Sequence, residues 1–155
     1  MSVWRRFDHH GFTSLITTNV ESRSPVFAST QVARLMLRVI GEVRHETRVR
    51  LLAFVIMPDH VHLVLATPPP LRLGRVMQLI KGRFSSRFNR MRKTRGTLWQ
   101  GRYHERALRN ERELLAAIEY VHGNPVKAGL ADQAESFPWP SASSAFRTDL
   151  DSFLG

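Results

Sequence analysis

His60 and His62 flank Val61 in a run, His60-Val61-His62-Leu63-Val64-Leu65, that reads as a β-strand directly after Met57-Pro58-Asp59. Side chains at i and i+2 on a strand leave the same face, so this spacing sets two imidazoles side by side. Val61, Leu63 and Leu65 then point the other way and can bury. Such a pair can hold a divalent cation, but two nitrogens under-fill its shell and other donors must converge. Tyr120 and Asn124 are the candidates, one helical turn apart on a segment whose apolar positions are Leu114, Leu115, Ile118 and Val121. At about 100° per residue, Tyr120 falls roughly 150° from the centre of that stripe, and Asn124 about 40° from Tyr120. A phenol turned off the core face, with Ala116 and Ala117 beside it, is open to chemistry.

Two imidazoles and a neutral amide oxygen leave positions for water and a phosphate oxygen. That donor set suits Mg²⁺ or Mn²⁺ in nucleotidyl transfer, whereas a closed structural zinc site wants four tight ligands. Tyrosine attacks poorly at its free pKa of about 10 and needs a polarised phosphate or local positive charge. Attack would give a phosphotyrosine ester, which keeps the phosphodiester's energy and lets a DNA 3′-hydroxyl reverse the step. Asn124 precedes Pro125, which disfavours helical dihedrals, so Asn124 is expected as the last, partly unwound position of its helix. Plainer readings stand beside these: a His-X-His can be incidental and a helix tyrosine can be mere surface. His9, His10, His45, His104 and His122 have no spacing partner, although His104 could touch a phosphate from the basic segment.

The elements that must position these residues follow from periodicity. Phe12 to Val20 is β-branched and strand-like; Ser29 or Thr30 caps a helix carrying Val32, Leu35, Met36, Val39, Ile40 and Val43. Val49 to Ile56 and His60 to Ala66 form a hairpin about the Pro58-Asp59 turn, ended by Pro68-Pro69-Pro70. A second helix has Leu73, Met77, Ile80, Phe84, Phe88 and Met91 along one side and arginines along the other, with Gly96 breaking it. Tyr103 to Leu108 is a fourth strand, and Asn110 with Glu113 opens the helix of Tyr120 at capping-box spacing. Strand, helix, strand, strand, helix, strand, helix is the split βαβ order. It predicts an α+β, ferredoxin-like antiparallel sheet with a closing helix. We expect one catalytic domain over 1–130 and a C-terminal tail over 131–155, packed by its aromatics and fraying toward Gly155.

With 155 residues the chain can bury a real core in one domain. It has no cysteine, which excludes disulfides and thiolate zinc sites. The longest apolar run, Leu51 to Met57, is too short to cross a bilayer, and Met1 to Arg6 lacks a secretory core, so a cytoplasmic, nucleoid-associated protein is expected. The net charge of +10 is concentrated: twelve Lys and Arg against Glu105 alone lie between Arg72 and Arg109. Arginine dominates, which suits bidentate phosphate contacts, and Phe84, Phe88, Trp99 and Tyr103 are interleaved. A solvated basic helix is the bland alternative. Our DNA-contact candidates are Arg72, Arg75, Lys81, Arg83, Arg87, Arg90, Arg102 and Arg106.

Met57-Pro58-Asp59-His60-Val61-His62-Leu63-Val64 resembles the HUH motif of the single-tyrosine transposases. Leu98-Trp99-Gln100-Gly101-Arg102-Tyr103, Leu108-Arg109-Asn110 and Tyr120 to Gly129 are also similar to that family, most of all to its REP-associated branch. The resemblance runs from about Phe12 to Ser144 with its parts in order. It implies an HUH-endonuclease fold, His60 and His62 as metal ligands, Asn124 as the polar third ligand and Tyr120 as nucleophile. It implies single-stranded or hairpin DNA as substrate, in this branch repetitive extragenic palindromes, cleaved and rejoined through a 5′-phosphotyrosine. Relatives act as monomers or homodimers. Pro138-Trp139-Pro140-Ser141-Ala142 departs from the expected Pro-Trp-Ser-Ser. The rival function is a domesticated protein that binds hairpin DNA or RNA without cutting; an RRM-like module lacks its aromatic RNP pattern.

Overall fold

The computed structural model describes residues 12–142 and 147–154. Strand β1 is Phe12–Asn19 and helix α1 is Thr30–Thr47, with two short 3₁₀ turns between them. Strands β2 (Arg50–Met57) and β3 (His60–Thr67) form the hairpin, then come α2 (Leu73–Arg92), β4 (His104–Leu108) and α3 (Glu111–Lys127). A one-turn 3₁₀ segment, Ala134–Ser136, and a short helix α4, Leu150–Leu154, complete the chain. The four strands form one antiparallel sheet in the order β2-β3-β1-β4. That is the order the split βαβ pattern demands, with central β1 linked through α1 to edge β2 and central β3 through α2 to edge β4.

Local chemistry sets the element ends. Ser29 caps α1 by accepting from the Val32 N–H, and Arg48 closes it in the left-handed region. Asn110 caps α3 by accepting from the Glu113 N–H at 2.8 Å. Glu113 returns its carboxylate to the Arg109 N–H at 2.7 Å, one residue before the cap rather than on it. Helix α2 stops at Arg92, with Lys93 at φ 55°, so Gly96 lies in the loop beyond and does not end it.

Both faces of the sheet are covered, which explains why β2 and β3 are buried at nearly every position instead of alternately. On one face α1 and α2 pack against Ile16, Phe54, Ile56, Val61, Leu63 and Leu65. Phe84 of α2 is fully buried and stacks obliquely with Phe27 and Trp99 at 5.4 and 5.6 Å between ring centroids. Burying such a ring stabilises the fold by about 3 kcal/mol. On the other face α3 lays Leu114, Ala117, Ile118 and Val121 on Leu15, Val55, Met57, Val64 and Ala66.

The described part of the tail packs on the sheet, while Gly155, toward which fraying is expected, lies outside the described residues. The Ile56 N–H donates to the Trp139 carbonyl at 3.2 Å, and Ser141 exchanges bonds with Phe54, its N–H to the Phe54 carbonyl and the Phe54 N–H to its Oγ, both 2.9 Å. Asp149 likewise accepts from the Leu51 N–H at 2.8 Å, and Phe153 of α4 is buried. The tail thus covers the outer edge of β2, satisfying backbone groups that an edge strand would otherwise expose. Among the described residues no helix is long and apolar enough to cross a membrane.

Candidate active site

His60 opens β3 and His62 follows on the same face, the face α3 covers. Register fixes their neighbours: His62 sits opposite Thr17 of β1, and His60 opposite Asn19. Thr17 in turn pairs with His104 of β4, so a row His62–Thr17–His104 crosses the sheet under α3. The imidazoles of His60 and His62 meet edge to face with centroids 4.7 Å apart. Tyr120, 46% exposed on α3, sets its ring 5.4 Å from that of His62. Two same-face histidines and an off-core phenol therefore lie side by side. The histidine face is not open, however: His62 is only 3% exposed, tucked under α3.

Each ring is oriented through its Nδ1. Asp59 Oδ1 lies 2.7 Å from His60 Nδ1, and a carboxylate only accepts, so that nitrogen carries the proton between them. Thr17 Oγ1 lies 2.8 Å from His62 Nδ1, a hydroxyl that can donate or accept there, and anchors that ring. Asp59 is itself gripped by Arg23, whose Nε donates to Oδ2 at 2.8 Å. Burial pushes the Asp59 carboxyl up, but the hydrogen bonds and charges of Arg23 and His60 outweigh it and leave it below its ordinary range. Burial, then the charges of His60 and Arg23, lower His62 to about 4, so it is neutral near pH 7. Two imidazoles on one face of the sheet, each with an oxygen at its Nδ1, are the donor chemistry of a divalent-metal site.

Asn124 departs from expectation. Pro125 lies within α3, which continues to Lys127, and the Asn124 carbonyl accepts from the Ala128 N–H at 2.9 Å. The residue is helical and half-buried, not unwound; Pro125 is tolerated because the neighbouring turns keep their bonds. The structure records no contact between its side chain and the histidines. Among the described residues no cluster of three or more His, Cys, Asp or Glu could hold a metal. The protein's strong donors here are the two histidines.

The basic segment divides. Arg83 and Arg87 of α2 are spent on Glu42 and Glu46 of α1: Arg87 makes a two-pronged pair with Glu42 at 2.6 and 2.7 Å, and Arg83 reaches Glu46 at 2.7 Å. Hydrogen bonding from Arg87 holds Glu42 below its ordinary range, with burial opposing. These arginines tie α2 to α1. Lys81 donates to the Gln100 carbonyl at 3.2 Å and lies 5.8 Å from the centroid of the Tyr103 ring. Arg72, Arg75, Arg90, Arg102 and Arg106 are exposed. Phe84 and Trp99 are core residues, Trp99 donating to the Lys81 carbonyl, and are unavailable for stacking on bases. Helix α2 lies across the sheet from Tyr120, whereas Arg106 stands on the α3 side, opposite Leu15.

Sequence reasoning missed Thr17, Arg23 and Asp59. Asp59 was visible as the residue before His60, and Thr17 follows once β1 and β3 are put in register. Arg23 carried no such signal.

The antiparallel split βαβ sheet thus sets paired histidines of its hairpin strand beside a helix-borne tyrosine on one face. The chain belongs to the IS200-like transposase family, whose model matches residues 12–124. It is 28% identical to a REP-associated tyrosine transposase of Escherichia coli K12, over 97% of this chain and 86% of that one. A putative REP-associated tyrosine transposase of Haemophilus influenzae matches at 28% over 57% of this chain and 56% of its own. Among solved structures, a REP-associated tyrosine transposase bound to a REP hairpin superposes with a TM-score of 0.75 at 25% identity, covering 85% of this chain and 77% of that one. A putative transposase from Deinococcus radiodurans R1 shares the fold, with a TM-score of 0.55 at 20% identity over 72% and 88% of the two chains.

Proposed function

We propose that this protein is a metal-dependent single-stranded DNA endonuclease and strand transferase acting beside hairpins. The observation that carries the reading is the line His60–His62–Tyr120, rings in contact on one face of the sheet. The relative solved with a REP hairpin supports a palindromic hairpin as the partner. His60 and His62 would hold Mg²⁺ or Mn²⁺ through Nε2, with Asn124 as the third protein donor after a side-chain turn toward them. When bound, such an ion polarises the scissile phosphate and offsets the charge that builds there.

The chain's own residues do the rest. Tyr120 stands exposed at the mouth of the site and attacks phosphorus, so that the strand's 5′ phosphate is esterified to the phenol and a 3′-hydroxyl departs. Asp59 and Thr17 keep both imidazoles turned toward the ion. Arg72, Arg75, Arg90, Arg102 and Arg106 hold the DNA backbone, with Arg106 on the side nearest the tyrosine.

The test is incubation of purified protein with a labelled hairpin and Mn²⁺. A covalent protein–DNA adduct is expected from wild type and none from Tyr120→Phe. An adduct that forms equally with Tyr120→Phe would reject the nucleophile. Tight, sequence-selective hairpin binding with no adduct on any matched substrate would favour a domesticated binding protein.

A further inference from the structure

The turn after β1 has a backbone that its sequence does not explain. Ser22 and Arg23 are consecutive non-glycine residues at φ 55° and 54°, a region disfavoured by any Cβ. Such conformations persist where the surroundings over-determine them, and they cluster at functional sites. Here the Val20 N–H donates to the Asp59 carbonyl, the Glu21 N–H to the Leu98 carbonyl and the Arg23 N–H to the Val20 carbonyl, all within 2.9 Å. The result is a guanidinium laid over the β2–β3 turn, beside the histidines.

That guanidinium is only partly used. Its Nε is given to Asp59. Its Nη2 lies 3.4 Å from His60 Nδ1, but that nitrogen already carries a proton aimed at Asp59 and cannot accept. The Nη2 hydrogens are therefore unspent, and the side chain is 53% exposed. Among the described residues, Arg23 is the only Lys or Arg recorded against either histidine, and the arginine-rich α2 is across the sheet. A planar donor fork, held by one edge and open at the other, is suited to a phosphate oxygen.

We infer that Arg23 binds a non-bridging oxygen of the scissile phosphate, aimed by Asp59, and stabilises the charge that builds as Tyr120 attacks. This rests on the strand-transferase reading. In the step, the Tyr120 oxygen–phosphorus bond forms as the phosphorus–O3′ bond breaks. The phenol's proton passes to water and the departing O3′ takes one from water, so the step needs no further reactant. The nucleophile, the paired histidines and the fork then surround one phosphate.

The test uses the full chain. In a Tyr120→Phe background, binding is measured by fluorescence anisotropy to hairpins with a single-stranded flank, each carrying one neutral methylphosphonate linkage. Arg23→Gln should weaken binding to the unmodified strand about tenfold. The loss should vanish when the methylphosphonate occupies the reacting linkage, and at no other. With Tyr120 intact, Arg23→Gln should slow adduct formation about 100-fold. Mn²⁺ affinity should stay within about threefold, unlike the loss expected when a group orienting a metal ligand is removed. Arg23→Lys, which keeps charge but not the fork, should restore only part of the rate. Equal loss at every linkage, no loss, or a fall in Mn²⁺ affinity that accounts for the lost rate would make Arg23 a tether for Asp59 and overturn the assignment. Linkage-specific loss without an adduct from any hairpin would uphold the phosphate contact while rejecting the transferase reading.

Discussion

On the face beneath α1 and α2, large rings fill the interface and the charges of Arg83 and Arg87 are spent on Glu42 and Glu46, clamping helix to helix. On the face beneath α3 the contacts are smaller, and at its end polar groups are brought into one another's reach: His60, His62, Tyr120, Asp59 and Thr17. The first face is loud in the sequence, as a run of arginines and aromatics; the second is a handful of scattered letters. The difference teaches that dense charge can serve packing between helices, while on the other face a few polar side chains are each held by a named partner. A cluster of like charges must be discounted for the acids that fold back on it.

The sharpest separation of the two faces is Phe84→Ala against Asp59→Ala. Phe84→Ala should cost about 4 kcal/mol of stability in chemical denaturation, with Mn²⁺ affinity per folded molecule unchanged. Asp59→Ala should lower Mn²⁺ affinity by about 10- to 100-fold in a calorimetric titration, with a modest change in unfolding midpoint. Should Phe84→Ala weaken the ion as much as Asp59→Ala does, the faces are not independent.

A second contrast uses pH. His62 titrates lower in the folded chain, at about 4, than unfolded, near 6.5. The unfolded state therefore binds the extra proton first, so the stabilisation is present above pH 6.5 and is lost as pH falls toward 4. Its size is about 3 kcal/mol at most, from the shift alone. Metal-free protein should lose stability across that window, and His62→Gln should flatten the curve there. An unaltered slope in the variant would mean that other groups carry the acid sensitivity.

The smallest effect divides the arginines. Arg87→Gln should cost about 0.5–1 kcal/mol of stability and leave the salt dependence of DNA binding nearly unchanged. Arg90→Gln, on an exposed position of the same helix, should leave stability alone and reduce the slope of log K against log salt by about 1. Equal slopes for the two variants would restore Arg87 to the DNA-binding surface.

Much of this was legible beforehand. The same-face histidines, the turn between β2 and β3, the caps at Ser29 and Asn110 and the strand order all follow from spacing, because period 2, period 3.6 and cap chemistry are local. What was illegible is non-local. Nothing in Leu114, Ile118 and Val121 says that α3 takes the opposite face from α1 and α2. The tail's pairing with β2 is backbone bonding, which side-chain patterns do not record. Asn124 was misjudged because a proline's local cost was allowed to outweigh the helix on either side. The clamp of Arg83 and Arg87 could have been suspected from Glu42 and Glu46, acids with the same spacing of four on a neighbouring helix. Arg23 became visible only when the hairpin turn and the end of β1 were brought together.

The measurement that bears most directly on the account is the chemical identity of the residue that joins DNA. Protein trapped on a hairpin with Mn²⁺ is digested with trypsin, and the peptide Glu113–Lys127 is sequenced by mass spectrometry. The account predicts a nucleotide esterified to Tyr120, absent when His60 and His62 are both replaced by alanine. A nucleotide found on any other side chain, or on Tyr120 in equal yield without the two histidines, would contradict it.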